Sequence, residues 1–371
     1  MKSLQLLGPR RMAVHEVPEP REIGADEILV RVKAVGICGT DIHYYQGESA
    51  SYTKMQYPFI MGHEFAGVVE AIGARVAGLR PGDRVALDPS NACMECEPCL
   101  EGHPNVCPTG RFTGSPGYPG GLQELVLHPA RLAFPLPEQM SFVEGALLEP
   151  LGVALHAVDL GKLRVADTVA VLGCGPIGLQ VLQLARLSGA QAVFVTEVVE
   201  HRRRMAESCG ASLVLDPTRE DPVRAILDAT HGRGVDVAFE AAGALQTPEL
   251  AAEVAKICGR VVVIGICSED QMPFRSTPTR KKALTIKVSR RMGHVYRRTL
   301  ALVGRRMVDV NSLVTHTFPL ERGQEGFALL DGYRGDVGKV VITLGSDSAE
   351  RAQECNDVKI PATGVRGSGV S

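Results

Sequence analysis

Gly173-Cys174-Gly175-Pro176-Ile177-Gly178 follows the apolar run Thr168–Leu172 and opens a stretch with helical spacing at Ile177, Val181, Leu184 and Leu187. A strand that passes into a helix through three glycines at this spacing leaves few folds open. The first glycine makes the turn, the second lets main chain approach a pyrophosphate, and the third packs helix against strand. The spacing predicts a helix over 176–188 and another over 201–208, with strands at Ala192–Thr196, Val235–Phe239 and Val261–Gly265. Strand and helix alternating in this way form a parallel sheet with helices on both faces. The N-terminus of the first helix, with Pro176 and Ile177 in its opening turn, would present its positive end to phosphates. Glu197, 19 residues beyond Gly178, stands at the end of the second strand. A carboxylate there accepts hydrogen bonds from a ribose diol and repels a 2′-phosphate, which favours NAD over NADP. Arg202, with Arg203 and Arg204, pulls the other way, because a nearby arginine holds a 2′-phosphate; a solvated helix face is the blander alternative.

Residues 1–150 have a different texture. Short β-type runs (Glu27–Val35, Ala66–Ile72, Arg84–Leu87) alternate with turn signals such as Pro81-Gly82-Asp83. They predict a β-rich, barrel-like unit. The α/β texture then holds over 151–287. From 288 to 344 β-type runs return and end in Lys339–Leu344, so this segment is expected to fold back onto the first unit, making it discontinuous. The polar, Gly/Ser-rich stretch 345–371 is expected to be a flexible tail. At 371 residues the chain suffices for about two domains, each with its own core. Forty Lys and Arg against 42 Asp and Glu leave a formal net charge of −2, which gives no reason to expect a nucleic-acid or membrane partner. No run reaches the ~18 apolar residues a membrane span needs. Pro9-Arg10-Arg11 interrupts any signal-peptide core, so a soluble cytoplasmic protein is expected.

Ten cysteines in such a chain point to metal, catalysis or core rather than disulfides. Cys93, Cys96, Cys99 and Cys107 are spaced C-x2-C-x2-C-x7-C, with Pro98, Gly102, Pro104 and Pro108 supplying turns. Four thiolates this close can converge on one tetrahedral Zn²⁺, in a closed and therefore structural lobe over about 88–110. An iron–sulfur cluster, a disulfide pair or plain surface thiols are the alternatives, and the tight spacing favours zinc. Cys174 reads as a small residue in the glycine turn, and Cys209, Cys258 and Cys267 as buried apolar residues. Cys355 lies in the tail with no assigned role.

A second set looks open. Cys38 lies in Gly36-Ile37-Cys38-Gly39-Thr40-Asp41-Ile42-His43, and His63-Glu64 follows in Gly62-His63-Glu64-Phe65-Ala66-Gly67. A thiolate, an imidazole and a carboxylate suit borderline-soft zinc, and three ligands leave the fourth position free for a Lewis-acid catalyst. Glu149, in Leu148-Glu149-Pro150, is a further carboxylate at the junction of the two units, either a ligand or the holder of the metal's water.

Together these motifs resemble the medium-chain zinc-dependent alcohol dehydrogenases over roughly Glu22–Leu344. The stretch Gly62-His63-Glu64-x2-Gly67-x5-Gly73-x2-Val76 is similar to that family's zinc signature throughout. Glu149-Pro150-Leu151 with His156, and Leu313–His316 with Phe318-Pro319-Leu320, resemble the polyol (sorbitol, iditol, xylitol) dehydrogenase branch. The L-threonine and butanediol dehydrogenase branches are its neighbours. The resemblance implies an α/β architecture: a GroES-like β-rich catalytic domain, discontinuous in the chain, plus a Rossmann doubly wound parallel sheet. It implies one catalytic and one structural zinc per chain, NAD as cofactor, a small alcohol or polyol as substrate, and a dimer or tetramer of identical chains. By resemblance Cys38, His63 and Glu64 bind the catalytic zinc, Glu149 binds it or orients its water, and Thr40 and His43 relay the substrate proton. Gly173, Gly175, Gly178 and Glu197 match cofactor contacts. Either Arg290 or Arg291 matches a polyol-contacting arginine. Two rivals stand beside this reading: a zinc-free NAD(P)H reductase of the same fold, and a non-catalytic NAD- or zinc-binding protein.

Overall fold

The computed structural model describes residues 1–48, 55–267, 269–332 and 336–345. The expectation of a flexible tail, and Cys355 with it, lies outside these residues beyond Gly345.

Six strands form one all-parallel sheet in the order Leu213–Leu215, Ala192–Thr196, Thr168–Leu172, Val235–Glu240, Ala255–Val263, Thr285–Val288. Successive strand residues point to opposite faces, and both faces are covered here. Val169, Val171, Val193, Val195, Val237 and Phe239 pack with helices Leu148–Gly161 and Pro176–Leu187. Ala170, Leu172, Phe194, Ala238 and Val261 pack on the other side with helices Pro222–Ala229 and Thr247–Val254. Runs that are apolar at every position, rather than at alternate ones, follow from that two-sided burial.

The second sheet is assembled from both ends of the chain. Its order is Val314–Pro319, Lys339–Thr343, Glu27–Gly36, Glu64–Ile72, Arg84–Leu87, Ala133–Pro135, with Leu125–Pro129 also paired to Glu27–Gly36. Lys339–Thr343 runs antiparallel to Glu27–Gly36, with Val341 opposite Gly36 and Thr343 opposite Ala34. Leu4, Leu6, Ile28, Met61, Phe65, Leu87, Val340 and Ile342 share its core. Burying a side chain of this size contributes about 1.5–3 kcal/mol. No helix among the described residues is long and apolar enough to cross a membrane.

Two sequence expectations need correction. The strand expected at Val261–Gly265 begins earlier, at Ala255, and is interrupted by a register shift. Cys258 lies in that irregular stretch, with φ +56° and its side chain exposed, so it is no core residue. Cys209 and Cys267, also expected to be buried, are half-buried, and Cys174 in the glycine turn is fully buried.

Candidate functional site

The register of two strands builds the open site. Gly36, at the end of Glu27–Gly36, sits opposite Glu64, the first residue of Glu64–Ile72. Cys38 therefore lies just past one strand and His63 just before the other, at the same end of the sheet. A Cβ on Gly36 would stand 2.0 Å from Glu64 Oε2, so only glycine leaves the carboxylate its place. Cys38 is also the residue immediately before the helix Gly39–Gln46. The donor atoms of Cys38, His63 and Glu64 all lie within 4.8 Å of one another, and His63 and Glu64 are buried.

Two residues that sequence reasoning missed hold this trio. Asp41, fully buried, accepts the Cys38 N–H (3.0 Å) and the Gly62 N–H (3.4 Å), and its Oδ1 lies 3.5 Å from His63 Nδ1. That leaves the other ring nitrogen of His63 on the Cys38 side. Lys339, on the C-terminal strand, donates to Glu64 Oε1 (2.6 Å) and to the Ile37 carbonyl (2.8 Å) while itself buried. A signal for Asp41 was available, three residues after Cys38 in the first helical turn. None was available for Lys339, whose partner is 275 residues away.

The residues fit a zinc ion. With Cys38 as thiolate, Glu64 and Asp41 add two more negative charges and Lys339 one positive, which leaves two negative charges for Zn²⁺ to neutralise. Burial alone would lower the His63 pKa, but the charges of Asp41 and Cys38 outweigh it and hold it well above its ordinary value. Without a cation, the cluster draws in a proton instead. Glu149, buried on the helix Leu148–Gly161, is pushed up to about 8 by burial, with Glu64 and Asp88 adding to the effect. It adjoins the trio electrostatically but is not among the three mutually close donors. Thr40 and His43 share the helix Gly39–Gln46, three residues apart and so on one face. His43 Nδ1 lies 2.8 Å from a Glu48 carboxylate oxygen.

Phe112 walls the site. Its ring centroid is 5.2 Å from that of His63, and the Arg291 guanidinium lies 4.2 Å over its face. Of the ambiguous pair, Arg291 is the one that lies over Phe112, while Arg290 is exposed and its carbonyl accepts from Asn105.

The closed site is local. Cys93 and Cys107 sulfurs are 3.5 Å apart, Cys96 and Cys107 3.7 Å, and Cys93 and Cys99 4.0 Å. Four sulfurs at ~2.3 Å from one tetrahedral zinc would be about 3.8 Å apart, and a disulfide would need about 2 Å. The Cys96 N–H points at Cys93 Sγ and the Cys93 N–H at Cys107 Sγ, both at 3.4 Å. The Glu95 N–H, helped by the Thr109 hydroxyl, draws the Cys93 thiol down to about 6.

In the glycine turn, packing requires glycine at two positions and leaves the third open. Gly173 has φ +91°, and a Cβ there would strike Ala242 main chain at 2.7 Å. A Cβ on Gly178 would come within 1.9 Å of the Gly173 carbonyl. Gly175 faces open space, its nearest neighbour being Arg202 Nη1 at 3.8 Å, so a phosphate can approach there. Pro176 and Ile177 begin the helix Pro176–Leu187, with Gly175 at its cap. Glu197 accepts the Cys174 N–H (2.8 Å) and the Val199 N–H (2.9 Å), which fixes its carboxylate beside the turn. Arg203 pairs with Asp216 and Arg204 with Asp336, and Arg202 is the arginine that lies next to the turn.

Comparison with known proteins agrees with this geometry. The model of the alcohol dehydrogenase GroES-like domain matches residues 24–138, and that of the zinc-binding dehydrogenases matches 176–305. Sorbitol dehydrogenase of Bacillus subtilis is 32% identical over 92% of this chain and 97% of its own length. L-threonine 3-dehydrogenase of the same organism is 34% identical over 88% and 93%. A zinc-binding dehydrogenase of Sinorhizobium meliloti, solved with NADP bound, superposes with a TM-score of 0.85 at 33% identity, covering 92% of this chain and 98% of its own. With both zinc-type donor sets and the glycine turn in place, the chain belongs to the medium-chain zinc-binding dehydrogenases, a GroES-like domain joined to a Rossmann sheet.

Proposed function

We propose that this enzyme oxidises a secondary hydroxyl of a polyol, of the sorbitol, iditol or xylitol kind, with NAD. The observation that carries the reading is the convergence of Cys38, His63 and Glu64 beside the Phe112 ring and the Arg291 guanidinium that covers it. Zinc held by those three residues would supply Lewis acidity, and the dinucleotide a hydride acceptor. The chain's own groups do the rest. Thr40 accepts the substrate's proton and passes it to His43, which the Glu48 carboxylate holds in one orientation. Glu149, buried on the helix Leu148–Gly161 beside Glu64, would bind the metal or orient its water. Arg291 and Phe112 select what lies beyond the reacting carbon. The fixed Glu197 carboxylate supports NAD. Arg202 beside Gly175, and the NADP of the Sinorhizobium protein, are the observations that favour the phosphorylated cofactor.

A second reading has its own support. A guanidinium in the pocket pairs with a carboxylate at least as well as with hydroxyls, which suits L-threonine as substrate, and a threonine dehydrogenase is among the relatives. We further read the chain as a cytoplasmic dimer or tetramer. Its unlinked cysteines among the described residues suit a reducing compartment, and Thr285–Val288 ends the parallel sheet with one edge unpaired there.

The test follows NADH and NADPH absorbance over a panel of sorbitol, iditol, xylitol, 2,3-butanediol and L-threonine, on enzyme carrying two zincs per chain. Polyols with NAD are expected to react fastest. Threonine ahead of every polyol establishes the second reading, and silence on the whole panel overturns both.

A further inference from the structure

The four-cysteine lobe and the strand that follows it reach two adjacent residues beside the open site, Arg290 and Arg291. Asn105, buried in the turn Pro104–Val106 between the third and fourth cysteines, donates from Nδ2 to the Arg290 carbonyl at 2.9 Å. Phe112, five residues beyond Cys107, lies under the Arg291 guanidinium. The segment between is unusual. Arg291 has φ +53° and His294 has φ +52°, left-handed conformations that L-residues hold only when their surroundings fix them. Fixing comes from both sides. Met292 is buried against helix Leu148–Gly161, where a Cβ on Gly152 would strike its sulfur, and a Cβ on Gly293 would stand 3.2 Å from Asn105 Oδ1. Burial also pulls the Arg291 pKa below the usual guanidinium value, so this charge sits among protein groups rather than in water.

We propose that Asn105 is a positioning residue for Arg291: by holding the Arg290 carbonyl it sets the arginine over Phe112, so that the cysteine lobe determines which substrates the pocket accepts. The inference deepens the reading of Arg291 as a substrate-facing group and rests on it. It gives the closed metal site a role beyond rigidity, because whatever orders Pro104–Val106 also orders the selecting arginine.

A double-mutant cycle tests it, with Asn105→Ala, Arg291→Ala and both together, each assayed on the best polyol of the panel and on a simple secondary alcohol. Asn105→Ala is expected to lower kcat/KM on the polyol about tenfold, chiefly through KM, and to change the simple alcohol less than twofold. NAD binding and two zincs per chain are expected to stay as in the parent. In the Arg291→Ala background, adding Asn105→Ala is expected to change the polyol less than twofold. Equal losses on both alcohols, an undiminished loss without Arg291, or no loss at all would each overturn the proposal. Should Asn105→Ala fold poorly, Gly293→Ala serves instead. Its new Cβ crowds Asn105 Oδ1 and is expected to give a smaller loss of the same selectivity, while an unchanged ratio of the two substrates counts against the proposal. Failure of the underlying reading looks different: Arg291→Ala alone then leaves every substrate unaffected.

Discussion

The two metal sites of this chain are built in opposite ways. Cys93, Cys96, Cys99 and Cys107 converge within 15 residues, and their own turns and backbone N–H groups orient them. Cys38, His63 and Glu64 come together only when Glu27–Gly36 pairs with Glu64–Ile72, and Lys339 completes their surroundings from the far end of the chain. The first site can form as soon as its loop does; the second waits for the whole sheet. The closed site needs only four equivalent donors and a shape. The open one must keep a position free, hold a buried imidazole in one tautomer and balance its charge, and each requirement recruits a residue from a different element.

The largest expected effect sets one site against the other. Cys38→Ser removes a donor from the open site, and Lewis-acid assistance worth several kcal/mol goes with it. Turnover is expected to fall on the order of 10³-fold or more, with NAD binding and one zinc per chain retained. Cys96→Ser also leaves one zinc per chain. It is expected to lower the melting temperature and raise the substrate KM while chemistry persists. Zinc content, a melting curve and steady-state kinetics on both variants decide the matter. Comparable turnover in the two would erase the distinction between a catalytic and a structural site.

What could be read before folding divides along the same line. The cysteine lobe and the glycine turn were legible because their meaning lies in spacing along a few residues: Gly173 has the positive φ of a turn, Gly178 the close approach and Gly175 the open space. Cys38 and His63-Glu64 were legible as motifs, but not the reason they meet, which is the Gly36–Glu64 register. Lys339 and Asn105 were illegible. Each is an ordinary polar residue whose importance comes from a partner 275 or 185 residues away. Arg290 and Arg291 were inseparable because adjacent residues differ only in where the backbone turns each side chain, and that turn is a left-handed Arg291. Cys258 was misread for a related reason: its place beside a strand of the parallel sheet suggested the core, and the irregularity that lifts it to the surface left no mark in the composition.

Acid should loosen the scaffold of the open site before it touches the folding of the lobe. His128, on Leu125–Pro129, packs edge-on against Phe65 next to Glu64, and donates from Nε2 to the Asp88 carbonyl (3.0 Å). Burial drives its pKa down to about 4, and Nδ1 is buried with no partner among the described residues. Protonation is therefore disfavoured in the folded chain relative to the unfolded one. The contribution is intact above about pH 6.5 and is lost as the pH falls from there through 4, amounting to about 3 kcal/mol. His128→Gln keeps a donor for Asp88 and cannot titrate. Urea unfolding at pH 7 and pH 4 should show the parent losing about 3 kcal/mol more than this variant. Equal losses would mean His128 is not held neutral by the core. Metal release at pH 4 affects both proteins alike and cancels in the difference.

The smallest expected effect isolates orientation from ligand number. Asp41→Asn preserves every ligand of the open site and almost the same volume. Asp41 accepts from the Cys38 N–H and the Gly62 N–H and faces His63 Nδ1, so all its neighbours present donors. An amide has one accepting oxygen and one donating nitrogen, so in either orientation it sets a donor against a donor. If the nitrogen faces Nδ1, the imidazole is driven to carry its proton on Nε2, the nitrogen on the metal side. Partners of this kind are worth about 10–100-fold in metal affinity, or about 1.4–2.7 kcal/mol. Titration with a competing chelator should release zinc in two phases, the open-site phase shifted by that factor and the four-cysteine phase unmoved. A shift of both phases would show that Asp41 acts through general stability, and a shift of neither would show that strand register alone orients His63.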